Sequence, residues 1–383
     1  MKITRISCHA LDATYAALAR MPRKFIVVLV ETDAGITGIG DATNWPVGAN
    51  LPHVVAEIGK GLIGRDPMEV ERLWQDMYRT SNYVGLAGLA VTALSGIEIA
   101  LWDIAGKALN VPVYQLLGGA VREDVSVYAN YWSLGVPRDA KAYADAARAT
   151  VEQGYRALKF YPLDAPSSGD PLRRTLTLPQ LQDILDIVAA VRESVGPSVE
   201  LYVECGGKLD YYTALRLLNL LEPFNIGFVE EPIPPENMET MARLSAHSRI
   251  PLASGERLYT AHDFRRILEL QAVAVVQPDI VRTGGLLESK KIAAMADTYF
   301  TPVAPHNANS PISTMATLHY AVNTPNFMTL EYFVQDVEWR DAFMTPAIRV
   351  ENGRIARPTG PGLGIELDAA LLKRHSETVV EVR

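Results

Sequence analysis

The stretch "LYVECGGKLD" (residues 201–210) starts as a buried strand and finishes as something else. Leu201, Tyr202 and Val203 are strand formers, yet the run ends on Glu204, with Cys205, Gly206 and Gly207 immediately after it. A carboxylate is delivered to a strand tip, and two of the next three positions carry no side chain. Taken alone, the segment also reads as a solvated charge followed by glycines that turn the chain. Its neighbours decide between the two.

From about residue 123 the sequence keeps a strand-then-helix beat. Strands are expected at "VSVYAN" (125–130), "RALKFY" (156–161), "SVELYVE" (198–204), "IGFVEE" (226–231), "PLASGE" (251–256), "AVAVVQPD" (272–279), "FTPVAPH" (300–306) and "NFMTLE" (326–331). Helical patterns such as "AKAYADAARATVEQ", "QLQDILDIVAAVRES", "AHDFRRILEL" and "LESKKIAAMADT" lie between them. Eight strands alternating with helices predict an α/β fold closed into a parallel barrel over 123–345. An open doubly wound sheet would want an early glycine-rich phosphate loop, and no GxGxxG follows a strand.

The first 122 residues have another texture. "KITRISCHAL" and "KFIVVLVETDAGITGIGDA" read as strands, the second a hairpin turning at Asp33-Ala34-Gly35. "LPHVVAEIGKGLI", "DPMEVERLWQDMYRT" and "GLAVTALSGIEIALWDIAGKAL" read as helices, with Asp66-Pro67 as a cap and first-turn proline. This is an α+β segment. The proline- and glycine-rich tail, 346–383, is expected to leave the barrel and complete it.

With 48% apolar and 21% charged residues the 383-residue chain has an ordinary globular composition. A net charge of −8 with scattered basic residues argues against nucleic acid as a partner. Two cysteines, Cys8 and Cys205, suit a reducing compartment. The apolar runs are short or interrupted and the N-terminus lacks a signal peptide's apolar core, so a cytoplasmic location without a membrane span is expected.

The strand tips carry Lys159, Glu204, Glu230 with Glu231, Glu256, Asp279, His306 and Glu331. From Glu204 on they recur at intervals of 26, 26, 23, 27 and 25 residues, one strand–helix unit each. Such tips converge on the face where a barrel builds its active site. Each residue also has a plain reading: a solvated glutamate, a Glu256–Arg257 ion pair, a turn histidine, a lysine reaching the surface from a buried stem. Three carboxylates on successive tips, however, repel strongly unless a cation holds them. An all-oxygen set suits a hard cation, Mg²⁺, better than zinc.

"IALWDIAGKALNVPVYQLLGG" (99–119), "FVEEPIPPEN" (228–237), "SGERLYTAHDF" (254–264), "QPDIVRTGG" (277–285), "APHNANSP" (304–311) and the closing "PTGPGLGIELD" together resemble the enolase superfamily. Within it they are similar to the mandelate racemase subgroup and its galactonate dehydratase-like acid-sugar dehydratases. The resemblance covers nearly the whole chain. It implies an α+β capping domain over a modified TIM barrel, (β/α)₇β. It also implies Glu204, Glu230 and Glu256 as Mg²⁺ ligands, and His306 paired with Asp279 as the base. Glu331 and Lys159 would lie near the substrate carboxylate. Superfamily sites use a Lys or His base with Mg²⁺ to stabilise an enolate formed by removing a proton next to a carboxylate.

Two departures from the resemblance bear on the reaction. The second strand reads Lys159-Phe160-Tyr161 where lysine-base members carry Lys-x-Lys, which moves weight from racemisation to one-base chemistry on His306. Gly206 stands where galactonate dehydratase-like enzymes place a histidine that protonates the departing hydroxyl. His306 acting in both steps is the expectation, with Tyr161 as donor or a reaction other than dehydration as alternatives. The reading is a lyase that converts an aldonic or aldaric acid to a 2-keto-3-deoxy acid. Its rivals are a racemase, epimerase or cycloisomerase, and a non-catalytic relative that binds metal and sugar acid. Specificity is expected from the loops 12–24 and 44–50, with Tyr15, Arg20 and Trp45 as candidates. Arg257 and Arg282 contact either substrate or the acidic mouth. The resemblance further implies a homo-oligomer, a dimer or an octamer.

Overall fold

The computed structural model describes the chain apart from residues 16–22, 45–47, 84, 86 and 164–172 and the side chain of Asn82. β1 (Ile3–Asp12), β2 (Lys24–Thr32) and β3 (Thr37–Asp41) form an antiparallel meander whose apolar side chains are almost all buried. The chain's last strand, Ser376–Val382, pairs antiparallel with β1 and makes a fourth member. α1 (Leu51–Gly59), α2 (Val70–Thr80) and α3 (Leu89–Leu109) pack with this sheet.

Against expectation, α2 does not start at Asp66-Pro67. The Asp66 carboxylate accepts the Met68 amide at 3.0 Å, closing a local turn, and helix begins only at Val70. Asp-Pro opens turns as readily as helices, and here the turn prevails.

α3 is long and apolar enough, by length and composition, to cross a membrane. In this fold 83% of its most apolar window is buried, because one side meets the sheet and another the barrel. Its two buried acids explain how it is fixed. Asp103 accepts the Ile39 and Leu363 amides at 2.9 and 2.7 Å. Glu98 accepts the Leu286 and Leu287 amides at 2.8 and 2.9 Å, at the start of the helix Leu286–Thr298. Gly285, at φ +96°, allows this: a Cβ there would lie 1.9 Å from the Glu98 carboxylate.

The second sheet is parallel. β4 (Asp124–Asn130), β5 (Ala157–Phe160), β6 (Glu200–Glu204), β7 (Phe228–Glu230), β8 (Leu252–Ser254) and β9 (Val275–Val276) pair in sequence order. β10 (Leu330–Phe333) pairs with β4 and returns the sheet to its start. The strand expected at 300–306 is reduced to bridges from Val303 to Val276 and Phe327, which close the gap between β9 and β10. Two prolines in "FTPVAPH" each remove a ladder donor, so pairing survives only between them.

Tyr128, Tyr202, Phe228, Ala157, Ala253, Val275 and Ala304 fill the barrel interior. Tyr202 and Phe228 stack at 4.0 Å between ring centroids, and Tyr128 meets Tyr202 edge-on at 5.3 Å. Burying each such ring contributes about 2–3 kcal/mol, and the layer makes a solid floor beneath the charged tips. The tail differs from expectation in one respect: before reaching β1 it lays Arg354–Ala356 antiparallel against β4.

Candidate active site

The strand ends bring the expected side chains together over this floor. Glu204 and Glu230 close β6 and β7, and Glu256 lies two residues beyond β8. One carboxylate oxygen from each lies within 4.8 Å of the other two. Lys159, inside β5 and almost fully buried, donates from Nζ to Glu230 Oε2 at 2.8 Å. The same Nζ lies 3.0 Å from Glu331 Oε1 and 3.5 Å from Glu204 Oε2. Burial disfavours the ammonium, but the charges of Glu230, Glu331 and Glu204 outweigh it and hold the Lys159 pKa well above its ordinary value.

One ammonium does not satisfy the set. Burial, and then the charge of Glu230, push the Glu204 carboxyl well above the usual carboxylate range. Glu230 Oε1 is buried with no hydrogen-bond partner. Three converging carboxylates with an unused acceptor fit a divalent cation, and oxygen-only donors favour a hard one. Glu256 differs: burial opposes its charge, but His306, Arg282, Lys159 and Arg257 prevail and lower it to about 2.

His306 stands on the far flank, beyond the Val303 bridge. Its Nδ1 is 2.7 Å from Asp279 Oδ2, and its Nε2 is 3.2 Å from Glu256 Oε2 and 3.8 Å from Glu331 Oε2. Asp279 accepts the Val281 amide at 3.0 Å and both Asn309 Nδ2 contacts, at 3.2 and 3.0 Å. These bonds fix the carboxylate, so Nδ1 serves as donor to it and Nε2 faces the mouth as the exchangeable nitrogen. Burial lowers the His306 pKa, but Glu331, Glu256 and Asp279 reverse this and raise it to about 9.

Several positioning residues carry no charge and were not singled out in the sequence. Gln277 donates to Glu230 Oε2 at 2.6 Å. The Asn307 amide donates to Glu331 Oε2 at 2.8 Å, and Asn130 Nδ2 donates to Glu331 Oε1. Asn307 and Asn309 lie inside "APHNANSP" and Gln277 opens "QPDIVRTGG", so position within those motifs was the available signal.

The other candidates divide. Tyr161 reaches the turn after β6: its hydroxyl donates to the Cys205 carbonyl at 3.4 Å. Arg257 lies 3.0 Å from Glu231 and 3.3 Å from Glu256, donates to the Gly206 carbonyl at 2.9 Å, and keeps 41% of its side chain exposed at the mouth. Arg282 donates to the Glu256 carbonyl at 2.8 Å and lies 3.7 Å from Asp279, so it braces the site. The Tyr15 hydroxyl donates to Gln335 at 3.2 Å, and Gln335 to the Trp132 carbonyl at 3.1 Å, which ties Tyr15 to the loops after β10 and β4. Arg20 and Trp45 lie outside the described residues.

Residues 7–118 match the family model "Mandelate racemase / muconate lactonizing enzyme, N-terminal domain", and residues 142–371 match "Enolase C-terminal domain-like". A D-xylonate dehydratase of Haloferax volcanii is 35% identical over 98% of this chain and 89% of its own. A D-galactonate dehydratase of Ralstonia pickettii is 36% identical over 100% of this chain and 96% of its own. Among solved structures, a member of the enolase superfamily from Salmonella Typhimurium superposes with a TM-score of 0.92 at 32% identity, covering 100% of both chains.

Proposed function

The chain belongs to the mandelate racemase/muconate lactonizing enzyme family of the enolase superfamily, and from that premise we propose that it is a hydro-lyase acting on a sugar acid. The substrate is an aldonate or aldarate with hydroxyls on C2 and C3, and the product is the 2-keto-3-deoxy acid. The observation that carries this reading is the placement of His306 Nε2 beside the carboxylate cluster, with Nδ1 anchored on Asp279.

Removing the C2 proton adds a second negative charge to a group that already bears one. Lys159, held between Glu230 and Glu331, offers an ammonium to the substrate carboxylate. Glu204, Glu230 and Glu256 would hold Mg²⁺, which supplies further stabilisation of the developing enolate charge. With a cation offsetting the Glu256 charge that raises its pKa, His306 would take the C2 proton at Nε2, and Asp279 fixes its tautomer and balances the imidazolium. The Tyr128–Tyr202–Phe228 floor keeps bulk water from the underside of the substrate. Support for dehydration comes from relatives so named, at about 35% identity over almost their full lengths.

Proton NMR in D₂O with Mg²⁺, across a panel of aldonates and aldarates, tests the proposal with the His306→Asn variant as control. A 2-keto-3-deoxy acid formed by the wild type and absent with the variant is the expected result. Exchange of the C2 proton with an intact carbon skeleton across the whole panel would overturn dehydration in favour of an isomerase.

A further inference from the structure

We propose that Tyr161 is the general acid that protonates the departing C3 hydroxyl, an inference that rests on the dehydration reading above. Hydroxide is a poor leaving group, so cleavage of the C3–O bond near neutral pH needs a proton delivered to that oxygen. The base occupies one flank of the carboxylate cluster, with His306 Nε2 3.2 Å from Glu256. The opposite flank is the turn after Glu204, and Tyr161 fills it.

The turn is shaped for this. Gly206 sits at φ +62°, and a Cβ built there would lie 2.7 Å from the Tyr161 hydroxyl oxygen. Any larger residue would therefore displace the phenol, and the glycine gives that place to Tyr161 two residues beyond the ligand candidate Glu204. Tyr161, the first residue after β5, follows Lys159 by two positions, so the strand alternation carried one residue further puts both side chains on one face. Lys208 Nζ lies 4.5 Å from the centre of the Tyr161 ring, where its charge opposes the negative charge left by proton donation. Arg257, donating to the Gly206 carbonyl at 2.9 Å, holds the turn from the other side.

His306 Nε2 takes the C2 proton and the C–H electron pair enters the substrate carboxylate as an enolate. That pair returns to form the C2–C3 double bond while the C3–O bond breaks. The Tyr161 proton passes to the leaving oxygen, which departs as water. The enol ketonises with a proton added at C3, and the proton on His306 is returned through solvent to the tyrosinate.

The test is Tyr161→Phe in the Mg²⁺-loaded enzyme, assayed on the accepted sugar acid and on its 3-deoxy-3-fluoro counterpart. Fluoride leaves without an acid. Loss of water elimination by about 10²-fold or more, with C2 exchange in D₂O and fluoride elimination kept within a few-fold of wild type, is the expected result. Water elimination within about threefold of wild type would overturn the assignment and return both steps to His306. Equal losses in all three readouts would also overturn it, because they would mark Tyr161 as structural. Failure of the wild type to dehydrate any sugar acid would overturn the parent reading instead.

Discussion

The Arg23 guanidinium, at the start of the strand that follows residues 16–22, donates from Nη2 to the backbone carbonyl of Asn309 at 3.0 Å. Its Nη1 meets Asp336 at 2.5 Å, and Arg340 donates to the same Asn309 carbonyl at 3.3 Å. Asn309 in turn donates to both oxygens of Asp279. A capping strand is thereby linked to the carboxylate that orients His306, through side chains almost wholly withdrawn from water. Arg23→Met should leave Asp336 with Arg340 as its one cationic partner, beside the Val337 amide, and loosen Asn309. Breaking a buried ion pair costs about 3–5 kcal/mol, and loss of an orienting contact costs about 10–100-fold in activity. Chemical denaturation and kcat measured together check both, and Arg23→Lys should recover part of the stability before the rate. Unchanged kcat in a folded Arg23→Met protein would remove Arg23 from the positioning of Asp279.

Cation binding should depend on pH with a definite sign. Without a cation the folded Glu204 carboxyl titrates above its unfolded value. Between those two values the native state binds more protons than the unfolded state, so Glu204's contribution to stability declines as pH rises through that window. A cation needs the deprotonated form, so its binding releases protons and strengthens as pH rises. Thermal unfolding with and without Mg²⁺ at pH 5 to 8 should show a stabilisation that grows with pH, about 2.7 kcal/mol when free Mg²⁺ is 100 times Kd. Glu204→Gln should flatten the trend. A Mg²⁺ effect that is equal at both ends of the range would contradict it.

The barrel was legible because buried parallel strands read as continuous apolar runs, and the charges were legible because each unit of the barrel returns the chain to the same face. The strand expected at 300–306 was not, because Pro302 and Pro305 leave Val303 alone to pair. The start of α2 falls later than the sequence suggests because Asp66 closes a turn with the same residues that cap a helix. At the site, Glu204, Lys159 and His306 declared themselves by charge. Asn309, Asn307 and Gln277 are neutral amides whose roles exist only once a carboxylate is placed against them. Arg23 is 286 residues from Asn309, and no local pattern joins the two.

Glu98 offers a test of how the capping helix is fastened to the barrel. Its two oxygens serve the Leu286 and Leu287 amides and, at 2.7 Å, the Trp102 ring nitrogen. A glutamine would place an NH₂ donor against one of these donors. Glu98→Gln should therefore cost about 1–3 kcal/mol of stability, read by chemical denaturation. Gly285→Ala should cost at least as much, since its methyl would overlap the carboxylate in a backbone conformation that disfavours side chains. A Glu98→Gln protein as stable as wild type would show that the helix start finds other acceptors.

His319 sets an acid limit that owes nothing to the carboxylate cluster. Its Nδ1 accepts the Tyr114 amide at 3.2 Å, and its Nε2 donates to the Leu363 carbonyl at 3.1 Å. Nδ1 is an acceptor only in the neutral ring, and burial lowers the pKa to about 4 despite the opposing bond to Leu363. Between pH 6.5 and about 4 the unfolded chain takes up a proton that the folded chain refuses. Stability contributed by this residue is thus complete above pH 6.5 and falls as pH drops, by about 3 kcal/mol across the window. Replacement by asparagine should lower stability at pH 7 through the lost bonds. It should also make the slope of unfolding free energy against pH shallower between 6.5 and 4 than in the wild type. Parallel slopes for the two proteins would mean that the protonated ring is accommodated in the fold.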